Sequence, residues 1–179
     1  LYGLARAGTG DARVCLPGTH AKWARLSRGH LAGFRTMMTG EMFALLGEAS
    51  ILRHTVGTSD WSDSDFAAAV AEAHADPADC LGRLFGLRAG PLLFGDASPS
   101  GSARLSGLLI GAEIATGMAA GDEPLCLVAT GGMAERYAAA LTALGIDFDR
   151  ADAEDAVRNG LFAMAARIWP ELGMLETDA

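Results

Sequence analysis

Arg13-Val14-Cys15-Leu16-Pro17-Gly18-Thr19-His20-Ala21-Lys22-Trp23-Ala24-Arg25-Leu26 is the stretch on which the fold turns. Val14 and Leu16 belong to a short apolar run that stops at Pro17-Gly18. A second run covers Trp23 to Leu26 and a third Leu31 to Thr36, joined through Ser27-Arg28-Gly29-His30. Two apolar runs linked by a glycine-containing turn are a hairpin signature. From Arg13 to about Met38 the pattern therefore predicts consecutive antiparallel strands, with Pro17-Gly18-Thr19-His20 at the first bend.

Outward from that sheet the periodicity changes. Thr39-Gly40-Glu41 opens a helix with Thr39 as its expected N-cap and Met42, Phe43, Leu45 and Leu46 as its apolar stripe. After a loop around Gly57, Ser62 and Asp65 flank another helix start, with Phe66 and Val70 facing inward. Asp76-Pro77 caps the next helix, carrying Leu81, Leu84 and Phe85; Gly90-Pro91 and the stretch from Ser98 to Ser102 are expected to break the chain. A long helix from about Ala103 to Met118 places Leu105, Leu108, Leu109 and Ile114 toward a core. Gly107 and Gly111, four apart, clear one face for another backbone. Leu125-Cys126-Leu127-Val128-Ala129 is an unbroken apolar run, as in a parallel strand covered on both faces. Thr130-Gly131-Gly132 turns from it into a helix, Met133 to Leu144, ended by Gly145. Ile146-Asp147-Phe148 reads as a short edge strand. A last helix from near Asp152 shows Val157, Leu161, Met164 and Ile168 at helical spacing and ends at Pro170.

Composition sets the outer limits. The chain has 179 residues, half of them hydrophobic, which is enough for one packed domain and too apolar for disorder. A formal net charge of -8 argues against nucleic acid or anionic lipid as partners. Arg25 and Arg28 read as the solvated face of a hairpin. Cys15, Cys80 and Cys126 are widely spaced among apolar neighbours and odd in number, without metal-ligand spacing. They read as buried free thiols of a reducing compartment, and a cytoplasmic location is expected. Neither a signal peptide nor an apolar run of about 18 residues appears. The opening Leu1-Tyr2-Gly3 reads as if cut from a longer chain.

Two glycine turns carry the chemistry. At Leu16-Pro17-Gly18-Thr19-His20, Gly18 permits close approach and positive φ, so that the Thr19 and His20 amides and the Thr19 hydroxyl can donate to phosphate oxygens. A hairpin tip that binds nothing has the same composition. At Thr130-Gly131-Gly132-Met133 a flat ligand can lie on side-chain-free backbone at a helix N-terminus, and a compact strand-to-helix connection is the structural alternative.

In sequence, the two turns resemble the C-terminal lobe of the actin, Hsp70 and sugar-kinase superfamily. More narrowly, Val14 to Trp23, Phe34-Arg35-Thr36-Met37-Met38-Thr39-Gly40-Glu41, Leu105-Ser106-Gly107-Leu108-Leu109-Ile110-Gly111-Ala112-Glu113 and Thr130-Gly131-Gly132 resemble the bacterial 2-dehydro-3-deoxygalactonokinase family. The resemblance implies an α/β, ribonuclease-H-like fold with three antiparallel strands, a helical insertion, then strand-helix-strand-helix. Residues 1–179 would form one C-terminal nucleotide-binding lobe with its insertion at about 50–120 and the N-terminal lobe absent from this chain. It also implies transfer of the ATP γ-phosphate, with Mg2+, to the 6-hydroxyl of 2-dehydro-3-deoxy-D-galactonate.

Carried onto these positions, Gly18, Thr19 and His20 would touch phosphate and Lys22 would add charge. Gly131, Gly132 and Met133 would lie under adenine and ribose. Thr39, Gly40 and Glu41 would meet sugar hydroxyls, and Arg35 the sugar acid's carboxylate. Each has a structural counterpart: a surface lysine, a core methionine, a strand-face ion pair, an acid favouring its own helix dipole. Ser106 and Glu113 share a helix with Gly107 and Gly111, which suggests nearby backbone or ligand, although helix packing alone accounts for them. In the superfamily an Asp often precedes the glycine of the second phosphate loop; here Pro17 stands there, so no catalytic base and no metal ligand carries over. The competing function is a non-catalytic nucleotide-binding regulatory or scaffold module of the same superfamily.

Overall fold

The computed structural model describes residues 1, 10–56, 60–94, 100–119 and 121–169. Tyr2 and Gly3, the loop position Gly57, Ser98 and Pro99 of the second break, and Pro170 lie outside the described residues.

The opening stretch folds as its pattern requires. β1 (Ala12–Leu16), β2 (Ala21–Ser27) and β3 (His30–Met37) pair antiparallel, Val14 opposite Ala24 and Trp23 opposite Arg35. The β2–β3 turn takes left-handed backbone at Arg28 (φ 50°) and Gly29 (φ 74°), the geometry whose twist suits a two-residue hairpin. β4 (Leu125–Val128) lies parallel to β1, and β5 (Asp149–Ala151) parallel to β4. The strand order is β3-β2-β1-β4-β5, a mixed sheet of five strands. All four β4 residues are buried, which explains its unbroken apolar sequence. The last strand begins three residues later than the sequence suggests. Ile146 is spent on closing the preceding helix, its N–H donating to the Leu141 carbonyl, and Ile146 and Phe148 pack into the core rather than at the sheet edge.

Six α-helices accompany the sheet among the described residues: α1 (Thr39–Ala49), α2 (Asp63–Ala75), α3 (Cys80–Phe94), α4 (Gly101–Met118), α5 (Gly131–Ala143) and α6 (Ala153–Ile168). One sheet face packs on α4 and α5, joining Cys15, Trp23 and Leu127 to Ile114, Tyr137 and Leu141. A second cluster lies among the helices, where Leu84, Leu87, Leu105 and Leu108 meet Ala69 and Ala73. The other sheet face, with Val14, Leu26 and Val128, is covered by Ala153 and Ala156 at the start of α6. Cys15, Cys80 and Cys126 are buried free thiols, and burial raises the pKa of each.

Gly107 and Gly111 bring α4 against α2: a methyl group on Gly107 would lie 2.5 Å from the Phe66 carbonyl, and one on Gly111 would overlap the Val70 carbonyl. Phe66 and Val70 are buried at this crossing, as expected, and Ser62 caps α2 by accepting from the Asp65 N–H.

Other expectations are corrected. α3 runs through Gly90-Pro91 rather than breaking there, and of its anticipated stripe only Leu84 is buried; Leu81 and Phe85 are exposed. Its inward side is Cys80, Leu84 and Leu87, because α4 approaches from that direction. In α1, Phe43 and Leu46 pack on the helical cluster while Leu45 is exposed. In α6, Val157, Leu161, Met164 and Ile168 are exposed, because the helix rests on the sheet through its alanines. Thr39 is the first residue of α1 rather than its cap; Met38 stands at the cap position, and no side chain caps the helix.

Candidate functional site

Because β1 and β4 are parallel neighbours, their carboxyl ends emerge at the same edge of the sheet, where open α/β sheets hold ligands. β1 runs out into Pro17-Gly18-Thr19, and β4 runs out through Thr130 into Gly131. Gly131 takes φ 59°, a left-handed conformation that a side chain would strain, and this sharp bend starts α5. Between the two turns lies a cavity of about 420 Å3. Gly18 and Thr19 form one wall and Met133, Arg136 and Tyr137 of α5 another. Thr39, Gly40 and Phe43 of α1 face Ser106, Leu109 and Ile110 of α4.

The loop after β1 is held from outside. The Glu41 N–H donates to the Thr19 carbonyl at 3.0 Å. A methyl group on Gly40 would lie 2.6 Å from the Gly18 carbonyl oxygen, so glycine is what lets the α1 N-terminus press on the loop. Gly18 itself meets nothing within 4 Å and does not take positive φ; its lack of a side chain leaves the cavity wall open instead. His20 Nε2 pairs with Glu41 Oε2 at 2.5 Å, and the Lys22 ammonium donates to the His20 carbonyl at 2.7 Å. These residues brace the loop, and their polar groups are engaged with one another.

The anticipated residues thus fall into groups. Gly18, Thr19, Met133, Thr39 and Gly40 line one cavity. Gly132 lines an adjoining cavity of about 630 Å3, which shares Arg136 with the first and is also lined by Trp61. The Arg136 guanidinium lies 4.5 Å from the Trp61 ring centroid, a cation–π contact at the partition. His20, Lys22 and Glu41 form the outer brace, and Gly131 makes the bend. Arg35 is set apart: it is exposed on β3 and lines a third cavity, of about 340 Å3, with Arg13, Trp23, Arg25 and Thr116.

Sequence reasoning passed over Phe43, Leu109, Ile110, Arg136 and Tyr137 as cavity residues. Arg136 and Tyr137 follow Met133 by three and four positions, the spacing of one helix face, and that signal was available. For Glu113 it left open nearby backbone or ligand on one side and helix packing on the other. Glu113 is 4% exposed, accepts from Trp23 Nε1 at 2.8 Å and from the Tyr137 hydroxyl at 2.9 Å, and has the Thr39 side chain close by. Burial raises its pKa, opposed by those three side chains. Burial and the neighbouring Glu113 likewise push the Tyr137 hydroxyl far up, so it remains a donor. Its signal in the sequence is an isolated acid in an otherwise apolar helix face.

Among the described residues no group of three His, Cys, Asp or Glu side chains is placed to hold a metal ion, and no helix is long and apolar enough to cross a membrane.

Fold and cavity together define an α/β domain with a cavity at the carboxyl edge of its sheet. The chain belongs to the 2-keto-3-deoxy-galactonokinase family, whose model matches residues 1–164. It is 42% identical over 175 residues to a Rhizobium meliloti protein named as a probable 2-dehydro-3-deoxygalactonokinase, covering 95% of this chain and 57% of that protein. It is 33% identical over 163 residues to the 2-dehydro-3-deoxygalactonokinase of Escherichia coli, covering 90% and 56%. A crystal structure of a Sinorhizobium meliloti protein assigned as a 2-dehydro-3-deoxygalactonokinase superposes with a TM-score of 0.87 at 41% identity, covering 94% of this chain and 58% of that one. The chain therefore spans somewhat over half the length of these relatives.

Proposed function

We propose that this chain is the C-terminal, ribonuclease-H-like nucleotide-binding lobe of an ATP- and Mg2+-dependent kinase of the cytoplasm that phosphorylates the 6-hydroxyl of 2-dehydro-3-deoxy-D-galactonate. The observation that carries this reading is the parallel β1–β4 pair, which sets both glycine turns on one edge and Gly18, Thr19 and Met133 on one cavity. The strand order, antiparallel through β3 and parallel from β1 to β5, with α2 and α3 inserted before α4, supports the lobe assignment for residues 1–179.

In this reading the amides of Gly18, Thr19 and His20 receive the phosphates, and the Lys22 charge lies beside them. The turn at Gly131 and Gly132, with Met133, takes adenine and ribose. Thr39, Gly40 and Glu41 face the sugar side. Arg35 lies in a different cavity from the turns, so its pairing with the sugar acid's carboxylate requires a substrate that extends past β2. One feature supports a nucleotide there: Gly18 lines the cavity without a side chain, and the space beside it is open. A divalent ion would supply charge neutralisation on the phosphates. The described residues contain no ligand cluster for it, so this chain's own part is to bind and orient the nucleotide.

The test is a coupled ADP-release assay on the complete protein with Mg2+ and a panel of 2-keto-3-deoxy sugar acids. Turnover on the galactonate-derived member is expected. Thr19→Ala and Gly132→Arg should lower nucleotide affinity with the fold retained, since a Cβ at Gly132 meets nothing within 4 Å and a longer side chain can start into open space. Nucleotide binding without turnover on any sugar acid would leave the non-catalytic module instead.

A further inference from the structure

Glu113 is a buried acid to which direct nucleotide contact gives no role. α4 carries it into the space between the sheet and α5, where Trp23 from β2 and Tyr137 from α5 donate to it and the Thr39 side chain, from the first turn of α1, lies close by. Indole N–H is a donor only, so the carboxylate must be the acceptor in that pair. An apolar side chain of similar volume would fill the position without the desolvation cost that burying a carboxylate carries. The arrangement calls for an explanation beyond packing, and the identity of its neighbours supplies one. Two of them, Tyr137 and Thr39, line the cavity between the glycine turns, and Thr39 is followed by Gly40, which presses on the Gly18 carbonyl.

We propose that Glu113 is a positioning residue of the nucleotide cavity. By accepting from Trp23 and Tyr137, it fixes the tyrosine ring as a wall of the cavity and ties α4, beside the α1 N-terminus, to β2 and α5. The inference rests on the reading of this cavity as a nucleotide site. Glu113 touches no reacting atom; it acts through its partners.

The test is Glu113→Gln in the complete protein. Glutamine keeps the shape and an acceptor for Trp23, but its amide N–H2 must face Tyr137, whose hydroxyl hydrogen then loses its acceptor. The Michaelis constant for ATP should rise about tenfold or more, the order of change that one buried unpaired donor causes, with that for the sugar acid unchanged. Tyr137→Phe should raise it less, because the carboxylate keeps the Trp23 donor and no buried donor is left unpaired. Leu84→Ala, a core truncation in the helical cluster, is the control: it should lower the melting temperature while leaving the constant for ATP at its wild-type value. Unchanged ATP dependence in Glu113→Gln, or an equal rise in Leu84→Ala, overturns the inference. Should Glu113→Gln not fold, Tyr137→Phe and Trp23→Phe decide the matter, and unchanged ATP dependence in both overturns it. A wild-type protein that binds no nucleotide removes the underlying reading and the inference with it, and that result is seen before any variant is compared.

Discussion

Replacing Gly40 by alanine puts a methyl group where the protein has backbone. The new carbon would lie 2.6 Å from the Gly18 carbonyl oxygen and 2.8 Å from the Thr19 Cα. Comfortable contacts are about 3.5 Å, so the loop must retreat by roughly 0.7 to 1 Å. Such a shift takes the 3.0 Å bond from the Glu41 N–H to the Thr19 carbonyl out of hydrogen-bonding range. Overpacking costs about 1–3 kcal/mol and the lost bond about 1. Exchanging glycine for alanine inside a helix returns about 1 kcal/mol. The net loss, about 1–3 kcal/mol, lowers the melting temperature by about 2–12 °C for a domain of this size. The effect on function is larger, because a displacement of about 1 Å at a positioning element costs up to about a hundredfold in rate. The variant is expected to fold, while its kcat/KM for ATP falls between about tenfold and a hundredfold. Gly18→Ala is the counterpart. Its methyl group meets nothing and its backbone is not left-handed, so stability should stay within about 0.5 kcal/mol while nucleotide affinity drops. Thermal melts and ADP titrations on both variants read the two effects separately. Wild-type nucleotide affinity in a folded Gly40→Ala protein would refute the idea that α1 sets the position of the loop.

Three further perturbations follow from the same geometry. Gly107→Ala should lower the melting temperature by about 5 °C or more, because its methyl group runs into the Phe66 carbonyl at 2.5 Å and the Ala69 methyl at 2.7 Å; an unchanged melt would mean that α2 and α4 cross differently. Gly131→Ala costs about 1–2 kcal/mol from left-handed backbone alone, since it meets no neighbour within 4 Å, and a stabilised variant would contradict the φ of 59°. Burial raises the Glu113 pKa above its ordinary 4.5, so the folded protein holds that proton more tightly than the unfolded chain does. Stability from this site is full below the unfolded value and is lost as pH rises through the raised folded one. The melting temperature of the wild type relative to Glu113→Gln should therefore fall from about pH 4 toward neutrality, and a difference that does not change with pH would count against it.

The sheet was legible because its signals are local. Pro17-Gly18 and Arg28-Gly29 punctuate the antiparallel strands, and β4 shows the continuous apolar run that only a doubly covered strand tolerates. Gly107 and Gly111 announced a close backbone, which α2 supplies. What could not be read locally is which face of a helix finds a partner. Val157, Leu161, Met164 and Ile168 have core spacing, yet α6 meets the sheet through Ala153 and Ala156. Likewise Pro91 stands inside α3, where tertiary contacts outweigh its breaking tendency. At the site, both turns were visible as glycine clusters, but their convergence depends on the parallel register of Val14 with Cys126, a pairing across more than a hundred residues. Thr39 shows the limit most clearly: it has the composition of a cap, yet it stands inside α1 as its first residue, with Met38 at the cap position.

A crystal structure of the complete protein with ADP and Mg2+ measures the central claim most directly. The account predicts phosphates within hydrogen-bonding distance of the Gly18-Thr19-His20 amides and the nucleoside against Gly132, Met133 and Arg136, one molecule touching both turns. A nucleotide bound elsewhere, or against only one of the two turns, would contradict it.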